Sequence, residues 1–302
     1  MPENYDDLIN EVGKDIETDT APQERLSDED YAAKKKTERD DLSNMAIQAE
    51  TEIATDGGKF QQYLNTLSRF ERYSAQNTLL IFAQRPDATR LGDFDHWKDQ
   101  DEYVNKGATG IAIFEPGKEY KREDGTTGVS MNIKRVFDIS QTSVKDKTPP
   151  AQKEIRTLLK ALMSNSPAPI KLVDSLQDGT GAHYSEQRDV IEVVRGLDGE
   201  SLFRCIAQEI AYAELDHQNT DTLKCKDKGF SAYAASYALC AKYGIDTKDY
   251  AFADAPDYFA NRDGKDIRGE IKTIRDTVND VASRMEKVLE PQKKAPAQEA
   301  RS

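Results

Sequence analysis

Between 59 and 69 the chain reads KFQQYLNTLSR, and Phe60, Tyr63, Leu64 and Leu67 return at the spacing of one helical face. The preceding stretch 31–54 has the composition of another helix, and Gly57-Gly58 is expected to end it, since glycine suits a left-handed C-terminal cap. A third helix is expected from about Ser74 through Ala83, with Pro86 preventing its continuation. DFDHWKDQ then predicts a short helix around Trp97, the single tryptophan. Gly107 and Gly110 frame a turn into the strand GIAIFEP, and IKRVFDI follows as its partner in a long hairpin. Residues 143–151, SVKDKTPPA, read as a linker. Beyond it the pattern predicts a helix at 152–163, a strand at IKLV, a hairpin in HYSEQRDVIEVV, and helices at 200–215 and 229–243. A last amphipathic helix at about 264–289 aligns Ile267, Ile271, Ile274, Val278, Val281 and Met285 on one stripe. The expectation is an α+β chain of two domains, 31–142 and 152–290, between a disordered leader (1–30) and a disordered tail (291–302).

Composition narrows the class. Hydrophobic residues make up 37% and charged residues 32% of 302, a polar balance for a chain with real cores. No run approaches the roughly 18 apolar residues that a membrane-spanning helix requires, so no membrane partner is expected. The start, MPENYDDLIN, lacks the apolar stretch of a signal peptide. Cys205, Cys225 and Cys240 show no CxxC spacing, which suits reduced thiols in a cytoplasm, with Cys205 and Cys240 packed in the core. The net charge of −13 is uneven. Up to Asp56 there are 17 acidic and 6 basic residues, a balance of −11, whereas Gly57 to Thr142 carries 12 of each sign. The acidity therefore resides in the leader, and the middle segment is not excluded from binding phosphate. The leader is read as a solvated tail, with imitation of DNA charge as the alternative.

The chemistry that the chain lacks is as informative. Residues 202–217 read LFRCIAQEIAYAELDH, a helix on which a zinc peptidase would carry HExxH. In that motif two histidines four apart share one face and bind zinc, and the glutamate polarises the bound water. Here the positions are Gln208, Glu209 and Tyr212: the glutamate stays and both histidines are absent. Glu214, Asp216 and His217 lie nearby, and Asp216 falls on the Gln208–Tyr212 face by helical spacing. Taken alone, QEIAY is an ordinary helical fragment. His96 and His183 are read as surface or core residues rather than ligands.

Three blocks of sequence give this helix its context: RFERYSAQNTLLIFAQRPDATRLGDFDHWKD, then NKGATGIAIFEP, then VFDISQT. In content and order they resemble the N-terminal domain of ArdC-type antirestriction proteins of plasmids and conjugative elements, over about 59–142. Residues 152–260 resemble the second, zincin-like metallopeptidase domain of that family. LFRCIAQEIAYAEL stands where its HExxH helix would be, and AYAASYALCAKYGIDTKDYAF stands where a further helix brings a glutamate as third ligand. The resemblance places that third ligand at Tyr233. With Gln208, Tyr212 and Tyr233 at the three metal positions, the resemblance implies a degenerate zincin-like domain without a cofactor, and no enzyme activity is expected.

The resemblance further implies single-stranded DNA binding by 59–142. Sequence-neutral binding needs cations for phosphates and flat side chains for bases. Candidate phosphate contacts are Arg69, Arg72, Arg85, Arg90, Lys98, Lys106, Lys134 and Arg135, and candidate stacking surfaces are Tyr73, Phe94, Trp97 and Tyr103. Asn77 and Gln84, seven apart on one helix, could donate hydrogen bonds from one face. Trp97 fits core packing as well, while Leu79, Leu80 and Ile81 are read as core. The expected function is a non-catalytic, single-stranded-DNA-binding antirestriction protein of a bacterial mobile element, with a restriction or conjugation protein as a further partner. The alternatives are a metallopeptidase rebuilt around Glu209, Asp216 and His217, and a protein-interaction module whose acidic leader mimics DNA.

Overall fold

The structure is a computed structural model and describes residues 27–122, 124–148, 151–177, 179–218 and 228–290. Expectations for 1–26, for Cys225 and for the tail 291–302 fall outside the described residues. The chain divides into two units, one ending at Asp41 and the other running from Leu42 onward. In the first, Ser27 Oγ accepts the Asp30 N–H at 3.1 Å, so helix α1 (Asp28–Thr55) begins within the stretch expected to be leader.

Helix α2 (Gly57–Phe70) follows α1 without a left-handed residue between them. The expected glycine cap is replaced by Asp56, whose carboxylate accepts the N–H groups of Gly58 and Lys59 and so starts α2. Gly57 is needed for a different reason: a Cβ there would come within 1.9 Å of the Phe252 carbonyl oxygen. Ser74 caps α3 (Ala75–Gln84). Strand β1 (Leu91–Gly92) leads into α4 (Phe94–Lys98), which Asp93 caps. The hairpin of β2 (Ile111–Lys121) and β3 (Thr127–Asp138) pairs Ile111 with Val136 and runs out to Lys121 with Thr127. β1 adds to the far side of β3, giving the order β1-β3-β2.

After 151 the order is α5 (Ile155–Met163), β4 (Ile170–Val173), β5 (Ala182–Ser185), β6 (Val190–Val194), α6 (Gly199–Gln218), α7 (Lys228–Tyr243), the short α8 (Ala255–Phe259) and α9 (Gly264–Leu289). β6 lies central, parallel to β4 and antiparallel to β5. The apolar stripe of α9 is buried from Ile271 to Met285, and Ile267 packs at its margin. Cys240 is buried, which pushes its thiol up to about 12, and Cys205 is half-buried.

The largest core draws from both sides of the 143–151 stretch. Phe60, Tyr63, Leu64 and Leu67 of α2 are fully buried together with Tyr237 of α7, Phe259 of α8 and Val278 of α9. Phe60 sets its ring 5.5 Å from Phe230, 5.4 Å from Phe252 and 5.5 Å from Phe259. At the rim of this contact Tyr237 donates to Asn65 Oδ1 at 2.9 Å, and Gln61 donates to the Tyr237 hydroxyl at 3.2 Å. Each buried aromatic or leucine of α2 contributes on the order of 1.5–3 kcal/mol, so α2 is held as firmly by the later helices as by its own neighbours. The expected linker thus lies inside the second unit. Among the described residues no helix is long and apolar enough to cross a membrane.

Candidate functional site

The DNA candidates do not form one surface. Arg72, Tyr73, Asn77 and Lys134 line a cleft of about 510 Å³ between the start of α3, the β1–α4 turn and the hairpin. Its charge is balanced. Lys134 Nζ lies 2.6 Å from Asp93 and 3.1 Å from Glu115, and those hydrogen bonds push its pKa up to about 12. Asp93 is correspondingly held below the usual carboxylate range, first by Lys134 and then by the His96 N–H. Arg72 pairs with Glu286 of α9. The Tyr73 ring is half-buried, edge-on to Phe70 at 6.0 Å.

Asn77 and Gln84 hold the sheet. Asn77 Nδ2 donates to the Phe114 carbonyl at 2.8 Å, and its Oδ1 accepts the Phe114 N–H at 2.9 Å. Gln84 does the same at Ala112, donating at 2.9 Å and accepting at 2.8 Å. Ala112 and Phe114 turn these groups away from β3, along the outer edge of β2. The two amides thus satisfy a strand edge that would otherwise be open, and neither is available for the DNA contact expected of it. Trp97 is also corrected. It is fully buried beside Phe137 and Ile139, and its indole N–H reaches the carbonyls of Gly92 (3.0 Å) and Phe137 (3.2 Å), leaving no face for a base.

The remaining candidates scatter. Arg69 donates to the Pro86 carbonyl and lines a different cleft together with Arg90. Arg85 is half-buried and reaches Ser140 Oγ at 3.4 Å. Arg135 is exposed and bonds the Gly110 carbonyl at 3.0 Å, while Lys98 and Lys106 are exposed. Two expected rings offer real faces: Phe94 is 59% and Tyr103 is 69% exposed. Tyr120, on the hairpin, is a third open ring that the sequence reading missed.

The positions at which the resemblance would put metal ligands, Gln208 and Tyr212 on α6 and Tyr233 on α7, have protein partners or an unsuitable atom. Gln208, half-buried, offers a neutral amide. The Tyr212 hydroxyl donates to Glu186 at 3.0 Å, and burial together with that carboxylate pushes its phenol further up, away from the phenolate that a metal would bind. Tyr233 lies among Tyr250 and Phe252, and its hydroxyl accepts the Ala251 N–H at 2.9 Å. Glu209 accepts the Tyr184 backbone N–H at 2.7 Å, so the carboxylate in the water-polarising position is engaged with strand β5. This donor set does not fit a zinc ion, which takes imidazole, thiolate and carboxylate.

Asp216 and His217 meet at the Tyr184 hydroxyl, at 3.1 and 3.3 Å, whereas Glu209 holds the Tyr184 backbone N–H, so the three do not surround one point. Asp216 Oδ1 lies 2.5 Å from Lys228 Nζ, Asp216 Oδ2 lies 3.1 Å from the Tyr184 hydroxyl, and His217 lies 2.8 Å from Asp189. Among the described residues no group of three histidine, cysteine or acidic side chains is arranged to hold a metal. Lys228 also contacts Glu186 at 3.1 Å and stands 5.8 Å from the centre of the Tyr212 ring. An ammonium group therefore supplies the positive charge beside these carboxylates.

Residues 40–162 match the family described as the N-terminal domain of the anti-restriction factor ArdC. The chain therefore carries a segment of the ArdC N-terminal type. An uncharacterised protein of Bacillus anthracis is 26% identical over 263 residues, covering 70% of this chain. The chain spans only 44% of that relative's length. Among solved structures, the metal-free crystal structure of antirestriction protein ArdC from plasmid R388 is similar in fold. Its TM-score is 0.50 at 14% identity, over 71% of this chain and 86% of that one. The Mn(II)-bound structure of the same ArdC protein gives 0.46 at 17% identity, over 72% and 84%.

The DNA candidates Arg69, Arg72, Tyr73, Asn77, Gln84, Trp97, Lys106, Lys134 and Arg135 lie in the ArdC-matched segment, as do the other five. Only Arg72, Tyr73, Asn77 and Lys134 share one cleft. Asp93 and Glu115, which set the charge of Lys134, were not singled out. Their alternation with apolar neighbours was visible, but their common partner lies 41 and 19 positions along the chain.

Proposed function

We propose that this ArdC-type protein binds single-stranded DNA without catalysing a reaction, as an antirestriction factor of a bacterial mobile element. Its zincin-like half is a pseudopeptidase scaffold that offers a surface to a restriction or conjugation protein. The observation that carries the DNA reading is the cleft on the family-matched segment, where Arg72, Tyr73 and Lys134 meet. A half-exposed ring between cations suits a base flanked by phosphates. The exposed rings of Phe94 and Tyr103 extend the stacking capacity of the same segment. The non-catalytic reading is supported by Gln208, Tyr212 and Tyr233 at the three ligand positions, both phenols already hydrogen-bonded within the protein.

The test uses the full chain. A labelled single strand is expected to bind more tightly than its duplex, with affinity falling as salt rises because each neutralised phosphate releases counterions. Equal affinity for the two forms, or none for either, overturns the DNA reading in favour of a protein-interaction role. The purified protein is expected to hold well under one equivalent of zinc and to keep its melting temperature in chelator. Stoichiometric zinc would restore the metallopeptidase reading.

A further inference from the structure

Away from the cleft of Arg72 and Lys134, a second cleft of about 520 Å³ opens where α2 ends, beside the loop before β1, the stretch preceding α5 and the end of α7. Its lining contains five cations, Arg69, Arg90, Lys147, Lys153 and Lys242, and no carboxylate. In a chain of net charge −13 this is a local reversal of sign. Lys242 is neutralised by Glu71 at 2.8 Å and Glu286 at 3.3 Å. Arg69, Arg90, Lys147 and Lys153 have no ion-pair partner among the described residues.

The nearest acids do not repair the imbalance. Asp138 is buried and accepts the N–H groups of Thr89 at 2.7 Å, Arg90 at 3.0 Å and Ser140 at 2.9 Å. Asp87 and Asp138 act on Arg69, and Asp146, held by Thr148, feels Arg90, but none of the three lines the cleft. Arg69 is exposed at the cleft, with its guanidinium open to a ligand. One of its N–H groups is spent on the Pro86 carbonyl, and a guanidinium has five. Arg90 lies 5.6 Å from the centre of the Trp97 ring, which steadies its direction.

We propose that this cleft is a phosphate-binding site, formed by Arg69, Arg90, Lys147 and Lys153, that takes a phosphomonoester or a short chain of phosphates. Multiply charged phosphate oxygens match two planar guanidinium groups and two mobile ammonium groups. The volume is that of a small-ligand site, too confined for a duplex. The same chemistry has two sources, the 5′-phosphate of a DNA strand and a free nucleoside polyphosphate. The site is separate from the cleft proposed for single strands and stands independently of that reading.

The experiment titrates the full-length protein with inorganic tripolyphosphate by calorimetry at low salt. Saturable binding is expected, weakened about tenfold or more in R69Q/R90Q, since each lost charge-assisted hydrogen bond carries that order of effect. The variant K147Q/K153Q, altered only at exposed side chains, is expected to weaken binding with an unchanged melting temperature, which separates ligand loss from misfolding. K134Q, in the other cleft, is expected to leave tripolyphosphate binding intact. A 5′-phosphorylated oligonucleotide that binds more tightly than its 5′-hydroxyl twin assigns the source to a strand end. Equal binding of the twins, with tripolyphosphate still bound, assigns it to a free polyphosphate. No saturable tripolyphosphate binding, or binding that K147Q/K153Q leaves unchanged, overturns the proposal. Binding of the 5′-hydroxyl strand reports on the single-strand cleft separately.

Discussion

Asn77 and Gln84 stand two turns apart on α3, and their amides clasp alternate residues of one strand, Phe114 and Ala112, through both N–H and C=O. The helix thereby acts as the missing neighbour of β2. Replacing either residue with alanine leaves a donor and an acceptor of the strand without that partner. A loss of about 1–3 kcal/mol is expected for each, larger at the more buried Asn77. Denaturant unfolding of Asn77→Ala and Gln84→Ala measures it. Unchanged stability with lost DNA binding would return these residues to the interface.

Trp97 should likewise report on stability. Trp97→Phe keeps most of the apolar volume but removes the bonds to Gly92 and Phe137. It is expected to cost on the order of 1–3 kcal/mol and, in the folded fraction, to leave affinity for single-stranded DNA unchanged. Strand titration alongside a thermal melt distinguishes this from a stacking role, which would lower affinity without lowering the melting temperature.

Asp93 and Glu115 restrain Lys134. Asp93→Asn retains a side chain able to cap α4 while releasing the ammonium, and Glu115→Gln removes the other carboxylate. The double variant is expected to bind single strands more tightly and to show a steeper salt dependence, by about 0.7 in the logarithmic slope for one added phosphate contact. Titrations at several salt concentrations test this, and an unchanged slope would remove Lys134 from the contact set.

The network around Tyr184 predicts a pH effect. Burial raises the Asp216 pKa, but hydrogen bonds from Lys228 and Tyr184 outweigh it, so the carboxyl lies below its usual range in the folded protein. A depressed carboxylate adds stability that is fully present above the unfolded value of about 3.9 and is lost as pH falls through the lower folded value. Lys228→Met is therefore expected to reduce stability at neutral pH and to flatten its decline below about pH 4. Urea unfolding across that range provides the measurement. Parallel curves for the two proteins would show that Lys228 does not set the Asp216 charge.

Helices whose partners lie within the same repeat of apolar residues were legible from sequence. Phe60, Tyr63, Leu64 and Leu67 declared α2, and the run from Ile271 to Met285 declared α9, because burial of one face imposes a period. Partnership across the chain was not legible. Asn77 resembles any polar residue on a helix until Phe114, 37 positions later, is brought beside it. Gly57 looked like a helix end because the Phe252 carbonyl that requires a glycine is far away in sequence. The basic cleft had a partial trace in the lysines around Thr148, but Arg69 and Arg90 join them only in three dimensions.

The docking of Phe60 among Phe230, Phe252 and Phe259 bears on how such a chain can change over generations. A crossover near position 150 would separate α2 from the helices that cover it and leave its aromatic face in water. The first half could be exchanged for a relative's only if the incoming α2 matched the recipient's α7 and α8 in shape. Side chains at this junction are therefore expected to vary together, while the exposed lysines and arginines of the two clefts remain free to drift with whatever they bind.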